Sequence, residues 1–220
     1  MRIRFLASSF AAFFIASISY ADSIAVSGPA IVREMNLARE NPALYAGYIA
    51  EMRGHFNGNL YLLASNTRLR THEGVRALDE AVRFLQRAQP QAPLAVSDGM
   101  CRAAADHCAD QANGRMGHKG SDWSSPGQRI SKYGGWQGAW GENISYGKKS
   151  ARDIVLALII DDGVRGRGHR KNIFSSTYNV AGAAYGPHAI YGSVCSIEFA
   201  GGFADKSELR GAQNSVAGNL

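Results

Sequence analysis

The chain has 220 residues, of which 45% are hydrophobic and 19% charged, with 25 glycines. A disordered tail or linker would carry far fewer apolar residues, and a chain of this length buries about 70% of its extended surface without needing staples to fold. The formal charge is +6 and the basic residues are interleaved with acids, so neither a nucleic-acid face nor a polybasic membrane signal stands out.

At the N-terminus, Arg2 and Arg4 precede an apolar run from Phe5 to Ile18 that ends at Ser19-Tyr20-Ala21. A basic start, a short apolar stretch and a small-x-small end are the layout of a secretory signal peptide. The run has 14 residues, fewer than the roughly 20 a spanning helix needs. Residues 1–21 are therefore expected to be removed on export, leaving a secreted or periplasmic chain from near Asp22 with a formal charge of +4. No later segment is long enough and free enough of charge to be transmembrane. The length suggests one domain.

Residues 30–52 read as two short helices broken at Asn41-Pro42, because the residue before a proline resists the helical conformation. From 54 to 70 no period is evident and a loop is expected. Leu78, Val82 and Leu85 recur at helical spacing, predicting an amphipathic helix over 72–89 that stops before Pro90. Ser97 can cap a helix over 98–113, with Met100, Ala104, His107 and Gln111 along one stripe. The segment 114–141, rich in glycine and carrying Trp123, Trp136 and Trp140, reads as loop with one helical turn at 129–133. Ser150 and Asp153 suit a helix start, and Ile154, Val155, Leu158 and Ile159 form its stripe, with a buried strand as the rival reading. Asn179–Tyr185 and Ile190–Ala200 read as strands joined across Gly186-Pro187, and residues 205–220 as a flexible tail. Helices first and strands gathered at the end argue for an α+β fold with helices on both faces of a small antiparallel sheet.

The three cysteines of an exported chain allow one bridge at most within it. Cys101 and Cys108 lie seven residues apart on one expected helix, about 10.5 Å by the helical rise, beyond the roughly 7 Å a disulfide tolerates. Any intramolecular bridge must therefore use Cys195, with either helix cysteine as its partner.

No HExxH or CxxC motif joins the six histidines, so standard metal motifs are absent. Two of them, His118 and His169, sit in glycine-flanked loops, and an isolated acid, Glu142, follows Trp140-Gly141. Two imidazoles and a carboxylate could offer zinc an open coordination site. Arg165, Arg167, Arg170 and Lys171, separated by glycines, form a candidate anion-binding turn, weighed against an ordinary solvated loop. Ser121 and Ser125 lack the GxSxG context of a nucleophile.

Several segments occur in the order found in the CAP superfamily of cysteine-rich secretory, venom-antigen and pathogenesis-related proteins. They are Met35-Asn36-Leu37-Ala38-Arg39 with Asn41-Pro42, Ala103-Ala104 with His107 and Asp110, Gly117-His118 with Gly120-Ser121, Gly141-Glu142-Asn143-Ile144, Ile160-Asp161-Asp162-Gly163, and Arg167-Gly168-His169-Arg170 with Asn172-Ile173. The chain resembles a bacterial or protist-type branch of that superfamily from about residue 30 to 204, so 22–204 is expected to be one such domain with an N-terminal helical extension. The resemblance implies an α-β-α sandwich and a cleft of two histidines and two acids, where relatives hold zinc or another divalent metal. His118, Glu142 and His169 match three of those positions. The glutamate that animal and plant relatives carry at the fourth is missing, with Asp161 or Asp162 as the substitute, while His107 is expected to be a hydrogen-bonded core residue. The same branch implies a Cys101–Cys195 bridge, leaving Cys108 as a small buried hydrophobe. Two functions follow as expectations: a secreted binding module for a small ligand such as a lipid, sterol or envelope component, or a zinc-dependent, protease-like hydrolase with Glu142 as general base.

Overall fold

The computed structural model of the protein describes residues 26–63 and 66–206; the expected signal peptide, and the expected tail beyond Lys206, lie outside them. Ser27 accepts a hydrogen bond from Ala30 N and opens α1 (Gly28–Glu40), which ends at Asn41, and Pro42 opens α2 (Pro42–Glu51). The break falls where the proline places it. Ile31, Val32, Met35 and Ala38 line the buried face of α1, and α3 (Val75–Arg87) buries Ala77, Leu78, Ala81 and Leu85 in the same way.

Between them the structure departs from the expected loop. After a 3-10 turn at Met52–His55, β1 (Phe56–Asn57), β2 (Leu60–Leu62) and β3 (Arg68–Arg70) form a small antiparallel sheet. Strands of two or three residues are too short to show an alternation, so the sequence carries no period to read.

Beyond α3 come β4 (Ala95–Val96), α4 (Asp98–Gln111), α5 (Pro126–Ser131), β5 (Gly134–Tyr146), α6 (Ala151–Ile160), α7 (Gly168–Ile173), β6 (Val180–His188) and β7 (Gly192–Asp205). The second sheet runs β4-β6-β7-β5. Its β4–β6 pair is parallel, whereas β6–β7 and β7–β5 are antiparallel. Alternation along β6 and β7 divides the core into layers. Ala181, Ala183, Cys195, Ile197 and Phe199 pack with α1, α3 and α6, while Ala184, Val194 and Ile144 meet Ala104 and Cys108 of α4, and Ala200 meets Met100, Ala103 and Ile130. The result is the expected α+β, α-β-α sandwich. Among the described residues, no helix is long and apolar enough to cross a membrane.

Two expected element boundaries move. The segment read as loop up to residue 141 contains the first part of β5, whose pairing with β7 is irregular between Gln137 and Trp140 and whose glycines hide the pattern. β6 continues through Pro187, which pairs with Ser193. The missing proline N–H costs nothing there, because β4 covers β6 only at Val180 and Ala181 and leaves the rest as an open edge.

The expected Cys101–Cys195 bridge is not formed, and all three cysteines are free thiols. The layering explains this. Cys195 points with Ile197 and Phe199 into the α1/α3/α6 layer, while α4 lies across the other face. The Cys108 thiol donates there to the carbonyls of Ala184 and Val194 at 3.5 and 3.8 Å. Burial pushes the Cys108 thiol up to about 12 and that of Cys195 well above its ordinary value, so neither is a thiolate at neutral pH.

Candidate functional site

The site is built on β5, the edge strand of the second sheet, from loops on its two sides. On the α4 side, Glu142 is 6% exposed. Its Oε1 lies 2.7 Å from His118 Nδ1, and its Oε2 accepts from Arg129 Nη2 at 2.5 Å and from Ser196 Oγ at 3.1 Å. Arg129 sits on α5, a helix fixed by a reciprocal cap between Ser125 and Gln128. The other guanidinium nitrogen donates to the carbonyls of His118 and Ser124, so one side chain positions both the carboxylate and the loop that carries the imidazole. His118 itself is half-exposed, with 55% of its side chain accessible.

Behind this pair is a second carboxyl. Glu198 stands directly opposite Glu142 in the β5–β7 register and is completely buried, 3.8 Å from Arg129 Nη2. Neither oxygen of Glu198, nor His107 Nδ1, nor Arg129 Nε has a direct hydrogen-bond partner. Burial and the neighbouring Glu142 charge push Glu198 well above the carboxylate range. For Glu142 burial acts upward, but His118, Arg129 and His107 together outweigh it and hold the carboxyl below its ordinary value. One arginine thus stabilises one ionised carboxylate and one neutral acid, because like charges so placed cannot both ionise.

The two acids act on stability in opposite senses. Glu142 contributes stability that is present above the unfolded value of 4.5 and lost as pH falls toward its folded value. Glu198 contributes stability that is complete below 4.5 and lost as pH rises toward its raised folded value. Glu198→Gln, which mimics the neutral acid, is therefore expected to flatten the decline of stability above pH 4.5 while keeping the acid-side loss. Urea unfolding at a series of pH values checks this, and an unchanged alkaline slope would mean that Glu198 is ionised in the fold.

His107, expected as a core residue, is fully buried on α4, and burial holds it neutral by lowering its pKa. Its Nε2 lies 2.6 Å from Gln111 Nε2 and 3.0 Å from the Gly117 carbonyl. Tyr146 Oη donates to Gln111 Oε1 at 2.6 Å and accepts from Gly117 N at 3.0 Å. This network fixes the turn that delivers His118.

On the other side of β5, Asp161 ends α6 in the left-handed conformation, φ 56°, and is 2% exposed. Its Oδ1 is 2.6 Å from His169 Nδ1, and its Oδ2 accepts from the backbone N–H of His169 at 3.0 Å. The His169 ring is 24% exposed. Asn143 Nδ2 donates to the His169 carbonyl at 3.0 Å, and Asn172 Nδ2 to Asn143 Oδ1 at 2.8 Å, bolting α7 to the residue next to Glu142. Of the two aspartates open at the fourth position, Asp161 joins the site. Asp162 turns away, accepting from the backbone of His72 and Glu73 at 2.7 and 2.8 Å.

The expected zinc or other divalent metal is corrected by this geometry. Among the described residues no group of three or more histidine, cysteine, aspartate or glutamate side chains is placed to hold an ion. The four residues form two separate pairs, each spending an imidazole nitrogen on its own carboxylate, and at Glu142 the positive charge is supplied by Arg129.

The basic turn is likewise divided. Arg167 donates to both oxygens of Glu73 at 2.7 and 2.8 Å and to Glu80 at 2.6 Å. Its hydrogen bonds, with that of Gly163 N, hold the Glu73 carboxyl down at about 2. Arg170 donates to Glu80 and to the carbonyls of Ile159 and Ile160, and its guanidinium lies over the Phe84 ring. Two of the four cations therefore hold α3 to α7. Arg165 and Lys171 remain on the rim of a pocket of about 720 Å³ that Phe84 and Val164 also line.

Sequence reasoning missed Arg129, Ser196 and Glu198. For Glu198 a signal was present: a lone acid inside the apolar run Cys195-Ser196-Ile197-Glu198-Phe199-Ala200 has to be buried with a partner.

The sequence profile of the cysteine-rich secretory protein family, CAP, matches residues 38–197. Among solved structures the chain is similar to an outer surface protein from Borrelia burgdorferi, at 16% identity over 50% of this chain and 78% of that one, with a TM-score of 0.43. It is also similar to an extracellular protein containing an SCP domain from Bacillus anthracis, at 18% identity over 69% of this chain and 43% of that one, TM-score 0.41. A third is a cysteine-rich secretory protein from Staphylococcus aureus, at 14% identity over 62% of this chain and 42% of that one, TM-score 0.37. No curated protein matches the chain.

Proposed function

The chain belongs to the cysteine-rich secretory protein family, and we propose that it is an exported binding module whose His118 and His169 hold a small ligand of lipid or cell-envelope origin. The observation that carries the reading is the pairing of each accessible imidazole with a buried carboxylate through Nδ1. In a neutral imidazole, a carboxylate that accepts from Nδ1–H selects the tautomer whose Nε2 is an acceptor. Two such acceptors on either side of an edge strand suit a ligand that presents hydroxyl or amine donors. Export is supported by the basic, apolar and small-residue layout of residues 1–21 and by the secretory family.

The same pairing is half of a catalytic triad, since an acid-oriented imidazole can act as a general base. Glu142 is less suited to that role than His118, because both of its oxygens are engaged and its pKa is lowered. Among the described residues no serine, threonine or cysteine side chain is hydrogen-bonded to either imidazole, which favours binding over acyl transfer.

The test exposes the protein to a total lipid extract of the cell envelope, recovers it, denatures it and weighs the released molecules by mass spectrometry. A retained species is expected for the wild type, and roughly fivefold less for His118→Ala and for His169→Ala, since each lost hydrogen bond is worth about 1 kcal/mol. Equal retention by both variants, or ester or peptide hydrolysis that disappears with His118→Ala, would overturn the reading.

A further inference from the structure

Apart from the histidine pairs, one end of the second sheet gathers three loops into a single surface. The β6–β7 turn is pinned by His188, which is buried. Its Nδ1 accepts from the backbone N–H groups of Ile190 and Tyr191, both at 3.2 Å, and its Nε2 donates to the Arg115 carbonyl at 2.9 Å. Ala189 N donates to the Ala112 carbonyl at 2.8 Å, so the turn lies against the loop that follows α4. On its other side, Gly147 N donates to the Ser193 carbonyl, and the Lys148 carbonyl accepts from Ser193 Oγ at 2.8 Å and Tyr185 Oη at 2.9 Å. The rings of Tyr146, His188 and Tyr191 close the assembly at centroid distances of 5.2 to 5.4 Å. The three loops are therefore held as one rigid unit.

They present exposed apolar and basic side chains together. Ile190 is 67% exposed, Met116 54% and Tyr191 46%. Around them stand Arg115, Lys119, Lys148 and Lys149, and residues 112–119, 144–150 and 186–193 contain no aspartate or glutamate. None of those four cations enters a salt bridge among the described residues. Of the flanking acids, Asp110 acts electrostatically on Arg115 but is engaged by Ser121 N, and Glu142 is engaged by His118 and Arg129. The turn at 165–171 differs, because there Glu73 and Glu80 pair with Arg167 and Arg170.

We propose that this end of the sheet docks on an anionic lipid bilayer, with Ile190, Tyr191 and Met116 entering the headgroup region and the four cations meeting lipid phosphates. Apolar and aromatic tips ringed by lysine and arginine combine the two attractions that interfacial binding needs, shallow burial of apolar surface and charge complementarity. A soluble polyanion would satisfy only the cations and leave Ile190 and Met116 in water. No segment crosses the bilayer in this mode, and binding is reversible and weakened by salt.

The experiment measures hydrogen–deuterium exchange of the full chain with vesicles of phosphatidylglycerol and phosphatidylcholine, or of phosphatidylcholine alone. Because the readout is local, a lipid-seeking N-terminus does not obscure it. Anionic vesicles are expected to slow exchange at 187–193 several-fold, and neutral vesicles to leave it unchanged. Lys148→Glu with Lys149→Glu should lower partitioning at least tenfold, since each cation near such a surface contributes about 1 kcal/mol, or roughly fivefold. Ile190→Ser should weaken it as well, and the single exposed substitution Lys149→Ala gives a milder version if the double variant folds poorly. Protection by neutral vesicles, indifference to the lysine variants, or equal protection by soluble polyphosphate that Ile190→Ser does not alter would overturn the proposal, the last pointing to a polyanion site.

Discussion

Replacing Arg129 with methionine is expected to destabilise the protein by about 3–5 kcal/mol at neutral pH, the range found when one partner of a buried ion pair is removed. The side chain is 3% exposed and reaches Glu142, the Glu198 edge and two loop carbonyls together. Without it Glu142 must either stay charged with only Ser196 and His118 to support it or take up a proton. The deficit should therefore shrink as pH falls, because a Glu142 carboxyl stripped of its cation moves upward and is neutral in acid. Arg129→Lys keeps the charge but cannot donate to three acceptors from a planar fork, so an intermediate loss is expected. Urea midpoints of both variants from pH 4 to 8 read these outcomes. A loss that does not vary with pH would show that Arg129 acts through packing alone.

Gly182→Ala is expected to cost about 3 kcal/mol, at the upper end of ordinary overpacking. A Cβ on Gly182 of β6 would lie 2.3 Å from Cys101 N and from the Met100 carbonyl carbon. These are backbone atoms of α4, which no rotamer change can move, so the helix would have to lift off the sheet. That movement would carry His107 and Gln111 with it, and through them the turn before His118. Denaturant midpoints measure the loss, and the spectral signature of His118 should shift in the same variant. A stability within about 0.5 kcal/mol of the wild type would mean that α4 yields readily, and would argue against a rigid platform behind the site.

The parts of this architecture legible in the sequence are those governed by local rules. Asn41-Pro42 separates α1 from α2, Ser97 caps α4, and the stripe of α6 gives a helix, each in place because propensity and burial agree. The resemblance to the CAP superfamily pointed to both histidines, Glu142 and the choice between Asp161 and Asp162, and of the two aspartates it is Asp161 that pairs with His169. What sequence reasoning could not see depends on strand register and layer. The β5–β7 register sets Glu198 opposite Glu142, and the alternation of β7 turns Cys195 away from α4, which removes the expected disulfide. The expected metal failed for a related reason. Spacing shows which ligand types are available, but not that each imidazole is already committed to its own carboxylate and that an arginine from α5 supplies the cation. The length of β5 was hidden by its glycines and by the irregular pairing at Gln137–Trp140.

The proposed binding requires that Glu142 and Asp161 hold His118 and His169 through Nδ1, with Nε2 left as the acceptor. Nitrogen-15 NMR of the histidine side chains, correlating each ring nitrogen with its carbon-bound protons near neutral pH, tests this most directly. Neutral imidazoles in the Nδ1–H tautomer at both residues, with the His118 signal perturbed by Glu142→Gln and the His169 signal by Asp161→Asn, are predicted. Freely exchanging tautomers, or an Nε2–H form at either residue that its acid partner does not influence, would contradict it.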